Sequence, residues 1–140
     1  KSGGARTGPK RGGMEGAWRG HGGGVDGDKT AALLKDPERE FVAATFLKLE
    51  LLPQPTFHKR EAELEFLAAY FERVAEWREA DEHLVAAALK EAGAVPLTAV
   101  DAIHVAAAKA LKCDEFTTAE KPGKPLHKAR GLKVSFLPAV

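Results

Sequence analysis

The sequence predicts an α/β domain built on a short parallel sheet. From Asp28 onward, short extended runs alternate with segments whose apolar residues recur at helical spacing. This alternation is typical of parallel sheets, in which a helix connects one strand to the next. The chain has 140 residues, which is enough for one domain with a sizeable core.

The first half of this patterned region contains three helices and one strand. We predict a short helix over 29–34 and a buried strand over 40–44. Thr45 is then expected to cap a helix that stops at Pro53, because proline lacks the amide hydrogen that helix continuation needs. A long amphipathic helix over 59–74 follows.

The second half continues the alternation to the end of the chain. After a strand-like run at 77–80, Asp81 is expected to cap a helix with Gly93 at its C′ position. The helix predicted at 98–112 is apolar nearly all round, so we expect it to be buried. The last two strands are predicted at 115–118 and 133–137.

Residues 1–27 differ in composition from the rest of the chain. Glycines and basic residues recur throughout this segment, and it has no apolar periodicity. Such a composition buries too little surface to offset the entropy that ordering would cost. We therefore predict a flexible, glycine-rich basic tail at 1–27 and a folded domain at 28–140.

Composition also excludes several classes of protein. The single Cys113 rules out an intramolecular disulfide and is expected to be an inert buried thiol, and no Cys/His set has zinc-ligand spacing. No apolar run is long enough to span a bilayer, so we expect a cytoplasmic protein without membrane contacts. The net charge of +1 is weak evidence for nucleic-acid binding.

Two carboxylates occupy unusual positions near the end of the chain. Asp101 lies in the first turn of the apolar helix, and Glu120 follows a strand-like run. Because burying a charge is costly without a partner, two acids at one end of a sheet suggest a shared divalent cation. Alternatively, Thr98 is the N-cap and Asp101 the third helical residue of a capping-box-like T-x-x-D.

The stretch LTAVDAIHVAAAKALKCDEFTTAE at 97–120 resembles the C-terminal signature of PIN-domain ribonucleases, particularly the VapC-like toxins. The similarity extends back through DPEREFV at 36–42 and TFLKLELLP at 45–53. It continues to 131–134, so it covers about residues 30–137. The resemblance implies a PIN-like three-layer α/β/α fold with a short parallel sheet.

One element of the family is not recognisable in this sequence. The family begins with an apolar central strand that ends in Asp, whereas Glu15, Asp26 and Asp28 follow no apolar run. The sequence therefore predicts that the first central strand is missing, which would leave unpaired backbone groups and a void. Either the chain is a degenerate member or its first residues are mis-specified by a reading-frame error before about Trp18.

The resemblance implies catalytic and metal-ligand roles for Glu50, Asp101 and Glu120, with Mg²⁺ or Mn²⁺ as cofactor. Glu120 stands where the family more often has Asp. Thr118 resembles a small hydroxyl residue near the metal, although an ordinary strand residue is an equal interpretation. His104 stands where the family often has histidine, and packing or an i,i+3 hydrogen bond within the helix is the alternative to proton transfer.

A basic cluster directly follows Glu120 and can either hold phosphates near a metal or form a solvated surface loop. Lys121 and Lys124 are its candidates for phosphate contacts.

The family's activity implies a metal-dependent endoribonuclease that is the toxin component of a toxin–antitoxin system. RNA, a cognate antitoxin protein and a second copy of the chain are the implied partners. Because the first acid is not recognisable, the chain is expected to cleave RNA weakly or not at all. The alternative is a catalytically dead PIN-like module that binds RNA or a protein.

Overall fold

The computed structural model of the protein describes residues 10–15 and 35–136. The chain alternates strands and helices along these residues. In order they are β1 (Lys10–Glu15), β2 (Arg39–Ala44), α1 (Phe46–Leu51), α2 (Pro53–Phe57), α3 (Glu61–Arg73), β3 (Val74–Arg78), α4 (Glu82–Ala94), α5 (Ala99–Ala110), β4 (Glu115–Thr118), a 3₁₀ turn (Pro125–Lys128) and β5 (Val134–Phe136). Among these helices, none combines the length and apolarity that crossing a bilayer requires.

The five strands form one sheet in the order β3-β2-β1-β4-β5, and every neighbouring pair is parallel. All strands therefore begin at one edge, called here the amino edge, and end at the opposite, carboxyl edge. The α/β class predicted from the sequence is confirmed.

Helices cover both faces of the sheet. Side chains alternate along β2, so Phe41 and Ala43 pack in one cluster with α1 and α3. Ala44 points to the opposite face and packs in a second cluster with α4 and α5. The result is a three-layer α/β/α arrangement, consistent with a PIN-like fold.

The expectation that the first central strand is missing is wrong, because β1 lies between β2 and β4. Gly12 is in register with Phe41 on one side and with Glu115 on the other. The pairing uses backbone groups, which a glycine-rich strand supplies as well as an apolar one. Residues 10–15, predicted as part of a flexible tail, form this strand instead. The remaining parts of 1–27 lie outside the described residues.

Gly13 of β1 lies where the fold leaves little space for a side chain. A Cβ atom on Gly13 would lie 3.2 Å from Cδ1 of Phe116. A cavity of about 10 Å³ is lined by Gly13 together with Val42, His104 and Phe116. That volume is about the space one water molecule needs, so the expected void is reduced to a small cavity.

Most element boundaries agree closely with the sequence prediction, although β3, predicted at 77–80, begins at Val74. The other differences have local reasons. Thr45 has helical dihedral angles and makes no side-chain cap. Pro53 begins α2, where a missing amide hydrogen costs nothing, instead of only ending α1. Gly93 lies inside α4 and not at its C′ position. The helix predicted over 29–34 lies outside the described residues.

Candidate functional site

The carboxyl edge of the sheet carries all three predicted site acids. Asp101 lies in the first turn of α5, whose other end is tied to the amino edge because Leu111 O accepts a hydrogen bond from Arg11 Nη1. The first turn of α5 is therefore directed to the carboxyl edge. Glu120 follows the last residue of β4 by two positions, and Glu50 lies on α1, which begins directly after β2.

Glu50 contacts His104 across the interface between α1 and α5. The distance from His104 Nε2 to Glu50 Oε1 is 2.5 Å, and the side chains are 3% and 12% exposed, respectively. The His104 ring also forms a T-shaped contact with Phe46, at 6.2 Å between ring centroids. His104 lies one turn after Asp101 on α5, and it therefore holds Glu50 of α1 against the helix that carries Asp101.

The backbone amide of Asp101 takes part in the helix cap, while its carboxylate remains available to bind a ligand. Thr98 Oγ1 accepts a hydrogen bond from the Asp101 amide at 3.1 Å, which confirms Thr98 as the N-cap. This bond uses the backbone of Asp101. Its half-buried carboxylate makes no hydrogen bond or ion pair with any residue in the described ranges. The cap and a metal-ligand role are therefore compatible.

Thr118 holds the turn that carries Glu120. Its side chain is fully buried, and its Oγ1 accepts a hydrogen bond from the Glu120 amide at 3.0 Å. The carbonyl of Glu120 lies 2.7 Å from His127 Nε2, so the turn is held from both sides. Thr118 is thus a structural support for Glu120 in this fold. Sequence reasoning missed His127, since nothing in its local sequence indicates a partner seven residues away.

Glu15 is an acid that sequence reasoning set aside. It is the last residue of β1 and is in register with Thr118 of β4. Its backbone therefore lies at the carboxyl end of the central strand. Sequence reasoning missed this strand because its glycines interrupt the run of apolar residues by which a strand is recognised.

The basic residues after Glu120 are exposed. Lys121 and Lys124 belong to one turn, in which the Lys124 amide donates a hydrogen bond to the Lys121 carbonyl at 2.9 Å. This turn follows β4, so it lies on the carboxyl side of the sheet. The fold thus keeps both lysines in the part of the molecule that carries Glu120.

The donor set at the carboxyl edge suits a hard divalent cation, because it consists of carboxylates. In the parts of the chain that the structure describes, however, no three His, Cys, Asp or Glu side chains lie close enough to hold a metal ion. The structure thus places Glu50, Asp101 and Glu120 at one edge and brings Glu50 into contact with His104.

No protein-family model, curated protein or solved structure matches this chain.

Proposed function

We propose that this chain is a PIN-type endoribonuclease that uses Mg²⁺ or Mn²⁺. The observation that supports the proposal is that acids from three separate elements lie at the carboxyl edge. Glu50 comes from α1, Asp101 from α5 and Glu120 from the turn after β4. Open parallel sheets bind ligands beyond the carboxyl ends of their strands, where loops and helix starts converge.

Asp101 and Glu120 are the residues that would hold the cation first. Neither carboxylate is engaged by another residue in the described ranges. Glu50 would join them on releasing His104. Glu15 ends β1 in register with Thr118, so its backbone lies at the same carboxyl edge. Mg²⁺ or Mn²⁺ held by these residues would supply positive charge for the negative charge that develops on the phosphoryl oxygens in the transition state of hydrolysis.

The exposed lysines extend this site toward a polyanion. Lys121 follows Glu120 directly and Lys124 lies in the same turn, so both can neutralise backbone phosphates beside the acids. The resemblance of 97–120 to VapC-like toxins further supports a toxin role. A cognate antitoxin and a second copy of this chain are the partners that such a role entails.

A catalytically silent RNA-binding module is the second candidate. The short bond between His104 and Glu50 favours it, because that bond engages one oxygen of a proposed metal ligand. Charge and ligand number govern affinity for a hard cation, so an engaged carboxylate weakens metal binding.

A cleavage assay with a labelled single-stranded RNA and Mn²⁺ distinguishes the two candidates. For an enzyme, Asp101→Asn should abolish cleavage while leaving thermal stability nearly unchanged, because the Thr98 cap uses the backbone of Asp101. Glu72→Gln, an exposed change on α3, is the matched control and should cleave normally. Absence of Asp101-dependent cleavage would refute the enzyme proposal. RNA binding without cleavage would favour the second candidate.

A further inference from the structure

Phe57 is the most exposed large apolar side chain that the structure describes. It is the last residue of α2 and is 80% exposed, against 74% for Leu89 and 64% for Leu49. Its ring meets that of His58 in a T-shaped arrangement, with ring centroids 4.9 Å apart and planes at 89°. Most of the Phe57 ring is thus presented to solvent beside a second ring.

The turn that carries Phe57 is held rigidly. The Arg60 amide donates a hydrogen bond to the Pro55 carbonyl at 2.8 Å, and the Lys59 amide donates one to the Thr56 carbonyl at 3.3 Å. These two bonds form a Schellman motif, and Lys59 takes its left-handed position with φ of 54°. An ordered turn loses little entropy on binding, so it is suited to present a side chain.

This turn lies on the carboxyl side of the sheet. It immediately precedes α3, whose 13 residues lead to Val74 at the start of β3. Val74 is in register with Phe41, three residues before the end of β2. Because α3 spans about 20 Å on its way back to the amino edge, its first residue lies beyond the carboxyl ends of the strands.

Positive charge accompanies the exposed ring. Lys59 is exposed and makes no ion pair with any residue in the described ranges. Arg60 lies 3.8 Å from Glu63, so its charge is partly engaged. The acidic residues of α3, which begin at Glu61, would repel the phosphates of a long polyanion. We therefore expect this turn to contact only a single nucleotide.

We propose that Phe57 stacks against one unpaired base of a single-stranded RNA while Lys59 contacts its phosphate. The choice of RNA rests on the proposed function. The position of the Phe57 turn adds a base contact to the proposed site. The turn and the Lys121–Lys124 turn lie on either side of the carboxyl-edge acids, since α1 to α3 flank β2 and β3 while the lysines follow β4. Aromatic faces accept any base, and a neighbouring cation adds the electrostatic part of the binding.

Fluorescence anisotropy with a labelled, unstructured single-stranded RNA in EDTA tests this contact without cleavage. Phe57→Ala should weaken binding about 5- to 150-fold, which corresponds to the loss of one stacked base. Phe57→Trp should retain the affinity of the native chain. Leu89→Ala, which shortens a comparably exposed side chain on α4, is the control and should bind as the native chain does.

Lys112 provides a matched control for the charge of Lys59. It is also exposed, has φ of 57° and closes a Schellman motif, but it follows α5 at the amino edge. Lys59→Gly and Lys112→Gly thus remove the same charge and relieve the same backbone strain. Only Lys59→Gly should lower the slope of log affinity against log salt concentration, by about 0.7.

Unchanged RNA affinity in Phe57→Ala, or no RNA binding by the native chain, would overturn the inference. If Phe57→Ala instead altered only self-association in sedimentation experiments, the ring would belong to a protein interface. Because the assay contains EDTA, loss of the proposed metal-dependent cleavage leaves its result unaffected. The failure of either proposal can thus be recognised separately.

Discussion

His104 Nε2 and Glu50 Oε1 lie 2.5 Å apart, in an interface where both side chains are largely removed from water. The bond connects α1 to α5. Leu47 and Leu51 of α1 belong to one core cluster, whereas Phe46 packs against the cluster that contains Ala102 and Ala106 of α5. His104 therefore has a structural role that does not depend on any chemistry at Asp101. Hydrogen bonds to a largely buried carboxylate contribute more than neutral ones, because the charge has lost most of its hydration.

Replacing His104 by Leu should lower the free energy of unfolding by about 1–3 kcal/mol, because Glu50 would lose a charge-assisted partner in a dry interface. Urea denaturation of the native chain and the variant measures this change. Glu50→Leu and the double variant complete a thermodynamic cycle. We expect a coupling energy of about 0.5–3 kcal/mol. Additive effects of the two substitutions would show that the pair contributes nothing beyond packing.

The periodic elements were predictable because their signals are local. The helix caps at Asp81 and Thr98 combine a cap residue with an apolar run, and both form the expected side-chain bonds. β4 was predicted with the bounds it has, since a short extended run follows a helix end there. Local signals thus account for α4, α5 and β4.

The central strand was not predictable from local pattern. Two glycines in β1 remove the apolar alternation by which a strand is recognised, and its pairing partners are distant in sequence. The Glu50–His104 bond was missed for a related reason. The two residues are 54 positions apart, and only packing of α1 against α5 brings them together. The common edge of the acids, by contrast, follows from parallel topology alone.

Gly13→Val tests whether β1 is part of the core. A Cβ at this position would lie 3.2 Å from the buried Phe116 ring, and a branched side chain would need more space than the adjoining cavity offers. We expect a loss of stability of about 1–3 kcal/mol, as is usual for overpacked cores. Thermal unfolding monitored by circular dichroism provides the measurement.

Gly123→Val is the control for this experiment. Gly123 lies in the exposed loop after β4, and a Cβ there would meet no atom within 4 Å. The midpoint of unfolding of the Gly123→Val variant should therefore match that of the native chain. If Gly13→Val were equally harmless, residues 10–15 would have to be outside the packed sheet.

Glu115 should make stability depend on pH in the acid range. Burial raises the pKa of Glu115, but hydrogen bonds from the Ser135 hydroxyl and from Arg39 lower it, as do the charges of Arg39 and Lys133. The net result is a pKa below the ordinary value. The carboxylate therefore stabilises the fold above the unfolded-state pKa of about 4.3, and this contribution is lost as pH falls through the folded-state pKa.

Glu115→Gln should flatten the acid side of the stability profile. Urea midpoints measured at intervals from about pH 6 down to about pH 3 should fall less steeply for the variant than for the native chain. Glu82→Gln, which changes an exposed glutamate for which no such partners are found in the described ranges, should follow the native profile. An identical slope for Glu115→Gln would mean that the contacts of Glu115 do not favour its ionised form.

Arg11 joins four elements at the amino edge. Its guanidinium donates hydrogen bonds to Glu40 of β2 at 3.1 Å, to Glu76 of β3 at 2.5 Å and to the carbonyl of Leu111 after α5 at 2.6 Å. The side chain is 16% exposed. A cation at the end of α5 also complements the negative end of the helix dipole. Arg11 thus anchors the end of the helix that carries Asp101 at its start.

Arg11→Met keeps most of the side-chain volume but removes all three donors, so we expect a loss of about 2 kcal/mol of stability. Arg11→Lys should recover only part of this loss, because an ammonium group cannot reproduce the planar fork that reaches three acceptors. Raising the salt concentration should narrow the difference in stability between the native chain and Arg11→Met. The reason is that Glu76 is partly exposed, so salt screens its attraction to Arg11. Arg130→Met, at an exposed position after the 3₁₀ turn, is the control for loss of one positive charge. Chemical denaturation of the four proteins at low and high salt provides the measurement. Equal stability of Arg11→Met and Arg130→Met would show that β1 is not tied to its neighbours through this side chain.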